Sequence, residues 1–354
     1  MRVLYFGTYE RRYPRNAQVI SALRGAGVEV IERHESVWEG REEKWSLGPG
    51  AAARLVLAEL RLLARRGPRP DVVIVGYPGH LDLLAARRAA RGAPVVFNPL
   101  VSLADTLVED RGRFRRGSLA ERALRTIDRR ALRSADIVVA DTDAHAEFLA
   151  GLAGLPRDRL EVCFVGAEER VFQPGWCPEE PFTALFVGKL IPLHGLETIL
   201  EAARLAPELQ LRVVGTGQLD ALLAGRPANV EWVPWVEYEQ LPQELNRASC
   251  GLGIFGTSAK AQRVIPNKAF QALACGTPLV TADTPAAREL LVSGESALLV
   301  PPGDPAALAE AMRRLTAEPE LAPRLGAAGH DVYRERASEN VLGRRWRGIL
   351  ERAA

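Results

Sequence analysis

The sequence predicts an α/β chain of two domains, each built on a parallel sheet covered by helices. Three observations carry this. Short β-branched or apolar runs alternate with helical patterns through the first half, and the same alternation restarts after a proline-rich stretch. The length, 354 residues, exceeds what one open-sheet domain needs and suffices for two, each with its own core.

In the first half, Arg2 to Phe6, Val28 to Glu32, Val72 to Val75, Val95 to Phe97 and Ile137 to Ala140 read as strands. Strands separated by helices run parallel and are buried on both faces, which is why these runs are almost wholly apolar. Between them, Asn16 to Arg24 and Leu81 to Arg91 place apolar residues three and four apart, the period a crossover helix needs to lie on a sheet. Residues 1–172 therefore read as a Rossmann-like domain. Phe172 to Pro181 (FQPGWCPEEP) holds three prolines and a glycine, which suppress helix and strand alike and suit a linker.

A second Rossmann-like domain, 182–335, follows with strands at Thr183 to Val187, Leu211 to Val214, Val230 to Val233, Gly251 to Ile254, Leu279 to Thr281 and Ala297 to Val300. Two such domains are expected to face each other across a cleft, where loops and helix N-termini gather at the strand C-termini. The segment 336–354 carries an amphipathic helix, about Glu339 to Arg352, whose Val341, Leu342, Trp346, Ile349 and Leu350 form one stripe. That stripe must dock, either back on the first domain or on its own.

Composition narrows the class. Apolar residues make up 47% and charged residues 25%, with no low-complexity tract, so the whole chain is expected to fold. A formal charge of +2 offers no global basic footprint for nucleic acid. No run of 18 apolar residues exists, and MRVLYFGTYERR passes from a short strand straight into a polar loop, so a cytoplasmic protein is expected. The four cysteines, Cys163, Cys177, Cys250 and Cys275, lack metal-binding spacing, and with five scattered histidines no metal site assembles. Cys275, on an apolar helix face, reads as a small core residue.

Four segments of the second half point to chemistry. FVGKLIPLHGLETILEAA (Phe186 to Ala203) is a strand, a turn at Gly188 and a helix from about Leu196, with Lys189 and His194 flanking the loop between. Two cationic groups there suit a diphosphate, whose charge grows as it departs; the alternative is an ordinary turn with solvated side chains. VVGTGQL (Val213 to Leu219) adds a Gly-x-Gly turn at Gly215, a weak signal alone. VEWVPWVEYEQLPQELNRA (Val230 to Ala248) offers Trp235 to stack on a nucleobase and the backbone of Val236 for its edge, unless the indole merely covers the core. The fourth, Gly253 to Leu291, contains a helix from about Pro266 to Gly276. Its Phe270, Leu273 and Ala274 form a buried face, and Asn267, Lys268 and Gln271 lie together on the other side, near an N-terminus suited to phosphate.

In this order and spacing the segments resemble glycosyltransferase family four, retaining sugar-nucleotide-dependent enzymes of the GT-B fold. The resemblance covers nearly all of the second half. The family's VGRL…KG element corresponds to Val187, Gly188, Lys189, Leu190, then His194 and Gly195, so Lys189 and His194 inherit its phosphate-binding role. Its EAMACGxPVV helix and following glutamate and glycine pattern correspond to QALACGTPLV and ELLVSGESALLVPPGD. Two positions depart: the ribose-binding glutamate is Gln271, which keeps hydrogen bonding without the charge, and the earlier glutamate is Arg263, which suits a donor phosphate or sugar carboxylate or is simply solvated. IPNKAFQALA is similar to a branch in which a Pro-x-Lys helix start meets the donor.

The first half resembles the family only in outline, as expected of an acceptor-side domain. Gly7 and Thr8 stand where the family's glycine loop approaches the donor, followed by Tyr9 and by Arg11, Arg12 and Arg15. The family implies a histidine near the donor sugar, and His80 is placed for it; Asp105, after Asn98 and Ser102 and before Asp110, is the second candidate for sugar or acceptor contact. A helix cap for His80 and a solvated loop for Asp105 are the plain alternatives. Arg111 to Arg133 holds nine arginines around Phe114, Leu119, Leu124, Ile127 and Leu132, a basic amphipathic helix that either touches anionic lipid at the inner membrane face or is a solvated face.

The resemblance implies transfer of a sugar from a UDP- or GDP-type donor to a hydroxyl of a sugar, lipid-linked or small-molecule acceptor. Lys189, His194, His80 and Asp105 are the candidate catalytic groups, with retention, with the nucleotide sugar as co-substrate and with no metal requirement. Two other readings are carried: a nucleotide-sugar 2-epimerase, and a degenerate partner that binds sugar nucleotide without turnover.

Overall fold

The computed structural model describes residues 1–37, 49–65 and 67–354, and divides the chain into two units, one of Met1–Val165 with Glu339–Ala354 and one of Gly166–Ser338. The first unit runs β1 (Arg2–Gly7), α1 (Pro14–Gly25), β2 (Glu29–His34), α2 (Pro49–Ala64), β3 (Val72–Val75), α3 (Leu83–Ala90), β4 (Val95–Phe97), α4 (Leu119–Ser134), β5 (Ile137–Ala140), α5 (Asp143–Ala153) and β6 (Leu160–Val162). Its six strands are parallel in the order β2-β1-β3-β4-β5-β6. Alternate residues face opposite ways, so each strand feeds two cores. Leu4, Phe6, Val73, Val75 and Phe97 pack with Ala85, Ala86 and Leu149 on one face. Val3, Tyr5, Val72, Ile74 and Val96 pack with Val19 and Leu23 on the other.

Three strands of this unit have the predicted ends. β6 was beyond the pattern because three residues carry no period, and α2 likewise has no counterpart among the predicted elements. The arginine-rich segment differs from expectation. The helix begins only at Leu119, where Ser118 accepts from the Glu121 N–H at 3.2 Å, and residues 111–118 before it are irregular, with positive φ at Gly112 and Gly117. Several of its guanidinium groups are engaged within the unit: Arg129 and Arg133 donate to the carbonyls of Leu152 and Ala153 at 3.0 and 2.7 Å, and Arg125 pairs with Glu121 at 2.6 Å. These bonds satisfy the carbonyls at the end of α5 and weaken the case for a lipid-binding face. No helix among the described residues is long and apolar enough to cross a membrane.

The second unit runs β7 (Thr183–Val187), α6 (Leu196–Leu205), β8 (Gln210–Val214), β9 (Val230–Val233), α7 (Leu241–Arg247), β10 (Cys250–Leu252), α8 (Asn267–Cys275), β11 (Leu279–Ala282), α9 (Pro285–Arg288), β12 (Leu298–Val300), α10 (Pro305–Ala317) and α11 (Leu321–Arg336). Its six parallel strands follow the order β12-β11-β10-β7-β8-β9. Phe186, Leu252 and Val280 pack with Leu196, Ile199 and Leu308. Cys275 is buried, and burial pushes its thiol up to about 12, as suits a core residue and not a nucleophile.

The boundary falls at Gly166, ahead of the expected Phe172. The proline-rich stretch is not a bare linker. Its Gly175 and Cys177 N–H groups donate to Cys275 and Asn246 carbonyls at 3.2 and 2.8 Å, the Trp176 indole donates to the Ala248 carbonyl at 2.8 Å, and Phe172 is buried against Tyr238. These bonds fasten it to the ends of α7 and α8.

The last helix, α12 (Glu339–Ala353), belongs to the first unit. Leu342, Trp346, Ile349 and Leu350 share a core with Val19, Ile20 and Leu23 of α1, and the Arg15 guanidinium lies 5.6 Å from the Trp346 ring centroid. Trp346 is 1% exposed. Trp346→Ala is expected to destabilise the protein by about 3–5 kcal/mol, read as a fall in Tm of roughly 2–4 °C per kcal/mol. An unchanged melting curve would show that α12 is not held by this ring.

Candidate functional site

Three loops of the second unit meet beyond the C-terminal ends of its strands. In-register pairing of Val187 with Val214, and of Val214 with Val233, delivers them side by side. Gly215 has φ +132°, and a Cβ on it would lie 2.1 Å from the Gly188 carbonyl oxygen; Gly188 itself has φ +144°. Only glycine enters these conformations readily, and only glycine permits the approach. Leu190 N–H donates to the Thr216 carbonyl at 3.0 Å, and on the other flank Phe255 N–H donates to the His194 carbonyl at 3.0 Å. The loop from Gly188 to Gly195 is therefore fixed from both sides.

Within that loop the two predicted cations part. The Lys189 side chain is exposed, while the His194 ring is buried, its edge toward the Phe186 ring at a centroid distance of 5.6 Å. The His194 Nδ1 hydrogen-bonds the Lys189 carbonyl, which sets the tautomer and orients Nε2 away from the bond.

Beside it stands the start of α8. Its N-cap is Pro266, whose side chain offers no cap; the Ala269 N–H donates to the Pro266 carbonyl at 2.9 Å, which leaves the Asn267 and Lys268 N–H groups to face an anion. Asn267 on that turn is partly exposed. Lys268 and Gln271 were expected opposite the buried face, but both are buried, at 8% and 7% exposure, because every residue of α8 after Asn267 is covered. The Lys268 Nζ lies 3.5 Å from the Phe186 ring centroid and has no hydrogen-bond partner. A Cβ on Gly188 would sit 3.0 Å from that nitrogen and 3.4 Å from His194 Cε1, so lysine, imidazole and glycine turn share one spot. An aromatic face returns about 2 kcal/mol to a desolvated cation, against several kcal/mol for taking an ammonium out of water. Burial wins, and the Lys268 pKa is pushed well below the ordinary lysine value.

Gln271 lies beside the Tyr238 hydroxyl, whose pKa is raised by burial and by the neighbouring Glu168 carboxylate. Arg263 closes a short 3-10 turn, Ala261–Arg263, before the helix. Trp235 and Val236 follow the end of β9 instead of ending it; Trp235 is 71% exposed and its indole donates to Glu237 at 3.1 Å. Lys268, His194, Gly188 and Gly215 are thus brought together, with Gln271 one turn further along α8. Phe186 and Tyr238 are additions the sequence did not single out.

In the first unit Asp82, Asp128 and Ser102 hold the predicted residues. A Cβ on Gly7, at φ +125°, would fall 2.1 Å from Asp82 Oδ2. Thr8 donates to Asp82 through its N–H at 2.7 Å and its hydroxyl at 3.0 Å. The close approach at Gly7 that requires glycine is therefore made to Asp82. Burial and the Asp82 carboxylate in turn push the Glu59 pKa up to about 10. His80 is buried, with Nδ1 on the Pro78 carbonyl and Nε2 3.3 Å from Asp128, so both ring nitrogens have partners within the first unit. Burial lowers its pKa, and Asp128 and the Pro78 carbonyl oppose that. Asp128 also accepts from Ser102, Leu103 and Ala104, and Ser102 accepts from the Asp105 N–H at 3.1 Å. Asp105 is buried at 8% exposure, which removes the solvated-loop alternative.

Two family models match the chain in succession: a glycosyl transferase 4-like domain over residues 1–166 and glycosyl transferases group 1 over residues 181–318. Among curated relatives, D-inositol 3-phosphate glycosyltransferase of Acidothermus cellulolyticus is 27% identical over 69% of this chain and 61% of that one. The amylovoran biosynthesis glycosyltransferase AmsK of Erwinia amylovora is 28% identical over 57% of this chain and 53% of its own. The chain spans about half to two thirds of the length of these relatives. Among solved structures, sucrose-phosphate synthase from Thermosynechococcus elongatus superposes with a TM-score of 0.78 at 17% identity, over 99% of this chain and 98% of its own. Anabaena HepE in complex with UDP-glucose gives 0.70 at 16% identity, over 99% and 100%. Both likenesses are of fold, and both are GT-B proteins.

Two outcomes follow from this geometry. Gly215→Ala should lose at least 1–3 kcal/mol of stability, because the new Cβ meets the Gly188 carbonyl at a positive φ; a wild-type urea midpoint would contradict the approach. Glu59, whose folded pKa lies above its unfolded value near about 4.3, makes the folded state bind more protons, so its effect on stability worsens as pH rises from there towards about 10. Glu59→Gln should therefore gain stability over wild type as pH goes from 6 to 9 in chemical-denaturation series, and a constant difference would refute the raised pKa.

Proposed function

The chain belongs to the group 1 glycosyltransferases, and from that premise we propose that it transfers a sugar from a uridine or guanosine diphosphate donor to an acceptor hydroxyl, with retention and without a metal. The observation that carries the reading is the unpartnered Lys268 amine buried beside an uncapped helix start, with His194 against the same glycine turn. Such a group has no purpose in an empty fold and suits a diphosphate.

In this scheme the donor diphosphate sits over Gly188 at the start of α8, held by Lys268, His194 and the first-turn N–H groups, with Lys189 at the exposed rim. Asn267 serves the same phosphates and Gln271 a ribose hydroxyl, as a neutral donor and acceptor. Trp235, exposed after β9, supplies a stacking surface for the base, with the Val236 backbone at its edge. As the bond from the anomeric carbon to the phosphate oxygen breaks, its electron pair goes to the diphosphate, and the fixed positive groups stabilise that charge. The acceptor oxygen bonds to the anomeric carbon, and its proton passes to the departing phosphate oxygen. Arg263 is available to a donor phosphate or to a carboxylate on the sugar. His80 acts here through the turns it and Asp128 hold, and Asp105 is the remaining acidic candidate for the acceptor side.

HepE was solved with UDP-glucose, and several relatives are named for D-inositol 3-phosphate, so uridine donors and phosphorylated polyol acceptors head the panel. A second reading, a donor-binding protein without turnover, is favoured by Arg263 and Gln271 standing where the family has glutamates. Thermal-shift assays with UDP, GDP, ADP, dTDP and their sugar conjugates should give stabilisation with one nucleotide, about 2.7 kcal/mol at a hundredfold excess over Kd, reduced in Lys189→Ala and Gln271→Ala. Product formation from that donor with an acceptor panel would support transfer. Binding with neither transfer nor hydrolysis would favour the second reading, and no shift with any nucleotide would withdraw both.

A further inference from the structure

Lys268 is more than one cation among several. The first-turn N–H groups of α8 and the exposed Lys189 remain polar or charged whether or not a ligand is present. Lys268 differs because the residue is 8% exposed and its amine is buried, makes no hydrogen bond and rests on the Phe186 ring, beneath the Gly188 turn. The groups packed around it offer no compensating charge. From the loop above come His194 and, outward, Lys189; the 3-10 turn before α8 ends in Arg263; one turn along α8 the Tyr238 hydroxyl lies beside Gln271 with the Glu168 carboxylate next to it; and His330 of α11 is bonded to the Leu273 carbonyl. The nearest of these are cationic or neutral, Glu168 is engaged by Arg170 and Tyr238, and the Lys268 amine itself has no hydrogen-bond partner.

We infer that Lys268 is a charge-on-arrival receptor for the donor's diphosphate: an uncharged amine in the empty site, it takes up a proton together with the nucleoside diphosphate and thereby separates diphosphates from monophosphates. This rests on the donor site proposed above. A dianionic phosphate at Gly188 supplies the counter-charge and the acceptors that the empty slot lacks, so an ammonium becomes the favoured form once the ligand is in place. The absence of resolved charge partners and the depressed lysine pKa from burial alone agree with this. A nucleoside monophosphate, lacking the second phosphate, binds through the remaining contacts without recruiting the proton.

Isothermal titration of the full chain with UDP at pH 8, where the nucleotide is already ionised, in buffers of different ionisation enthalpy measures the proton directly. Uptake of about one proton per UDP is expected, falling to near zero with UMP and in Lys268→Met. Lys268→Met should still fold, with a Tm at or above wild type because a lone buried amine is removed, and should bind UDP at least tenfold more weakly while binding UMP nearly as well. His194→Gln should leave the uptake in place. Heats independent of buffer, uptake that survives Lys268→Met, or uptake lost instead in His194→Gln would each overturn the inference while leaving nucleotide binding intact. Absence of UDP and GDP binding altogether would remove the donor site itself and this inference with it.

Discussion

The second unit depends on one close approach, that of the Gly188 carbonyl to the α-carbon of Gly215. Neighbouring parallel strands fix the spacing of the two loops, so the only variable left is side-chain volume, and it is set to none. With that contact made, the loop after β7 can bend toward α8, His194 can reach back to the Lys189 carbonyl, and the backbone over Lys268 is left thin enough for a phosphate oxygen to come near. Remove the approach and the three groups no longer converge. The chemistry proposed for this unit is thus a consequence of backbone packing first and of side-chain identity second.

The first unit solves a different problem. Its interior holds ionisable groups in quantity: Arg15, Asp82, Asp128 and His80 are all buried. Arg15 is surrounded by neutral acceptors, the Asn98 side chain and the Cys163 and Phe164 carbonyls, with no carboxylate among those bonds. Asp82 and Asp128 each collect backbone N–H and hydroxyl donors from a loop distant in sequence, so each acts as a fastener for strand-end loops. Buried charge of this kind is strongly destabilising to break and contributes little over an apolar replacement, which suits a role in fixing one loop conformation more than in raising stability. The loops so fixed carry Gly7 and Thr8, which the sequence nominated for the donor, and Asp105, which it nominated for sugar or acceptor contact.

How much of this was readable varies by physical cause. Strands such as Val72–Val75 and Thr183–Val187 were legible because fully buried parallel strands are apolar runs bounded by turn residues. The order of the loop after β7 and the helix from Pro266 to Gly276 were legible as well, since proline and glycine mark both ends of α8. The burial of Lys268 and Gln271 was not. A helical wheel places them with Asn267, and nothing in spacing says that the opposite wall, Phe186 and Tyr238, closes over that side. Asp82 stands at the N-cap of α3, yet it makes no capping bond and serves Thr8 instead, a partner 74 positions away. The surroundings of His80 were hidden in the same manner: its ring faces Asp128, which lies on α4 among arginines.

The membership of α12 in the first unit has a consequence for biosynthesis. That unit is discontinuous, opened before residue 166 and closed only after residue 338, with the whole second unit laid down in between. On the ribosome, the sheet translated first must wait with the Val19 and Leu23 face of α1 uncovered, while the later unit, made of consecutive residues, can complete its own core. The order of synthesis and the order of completion are therefore reversed. A frameshift or early stop beyond residue 338 would spare the second unit and strip α12 from the first, so the waiting apolar face of α1 is where chaperone dependence and aggregation of a nascent or shortened chain should concentrate.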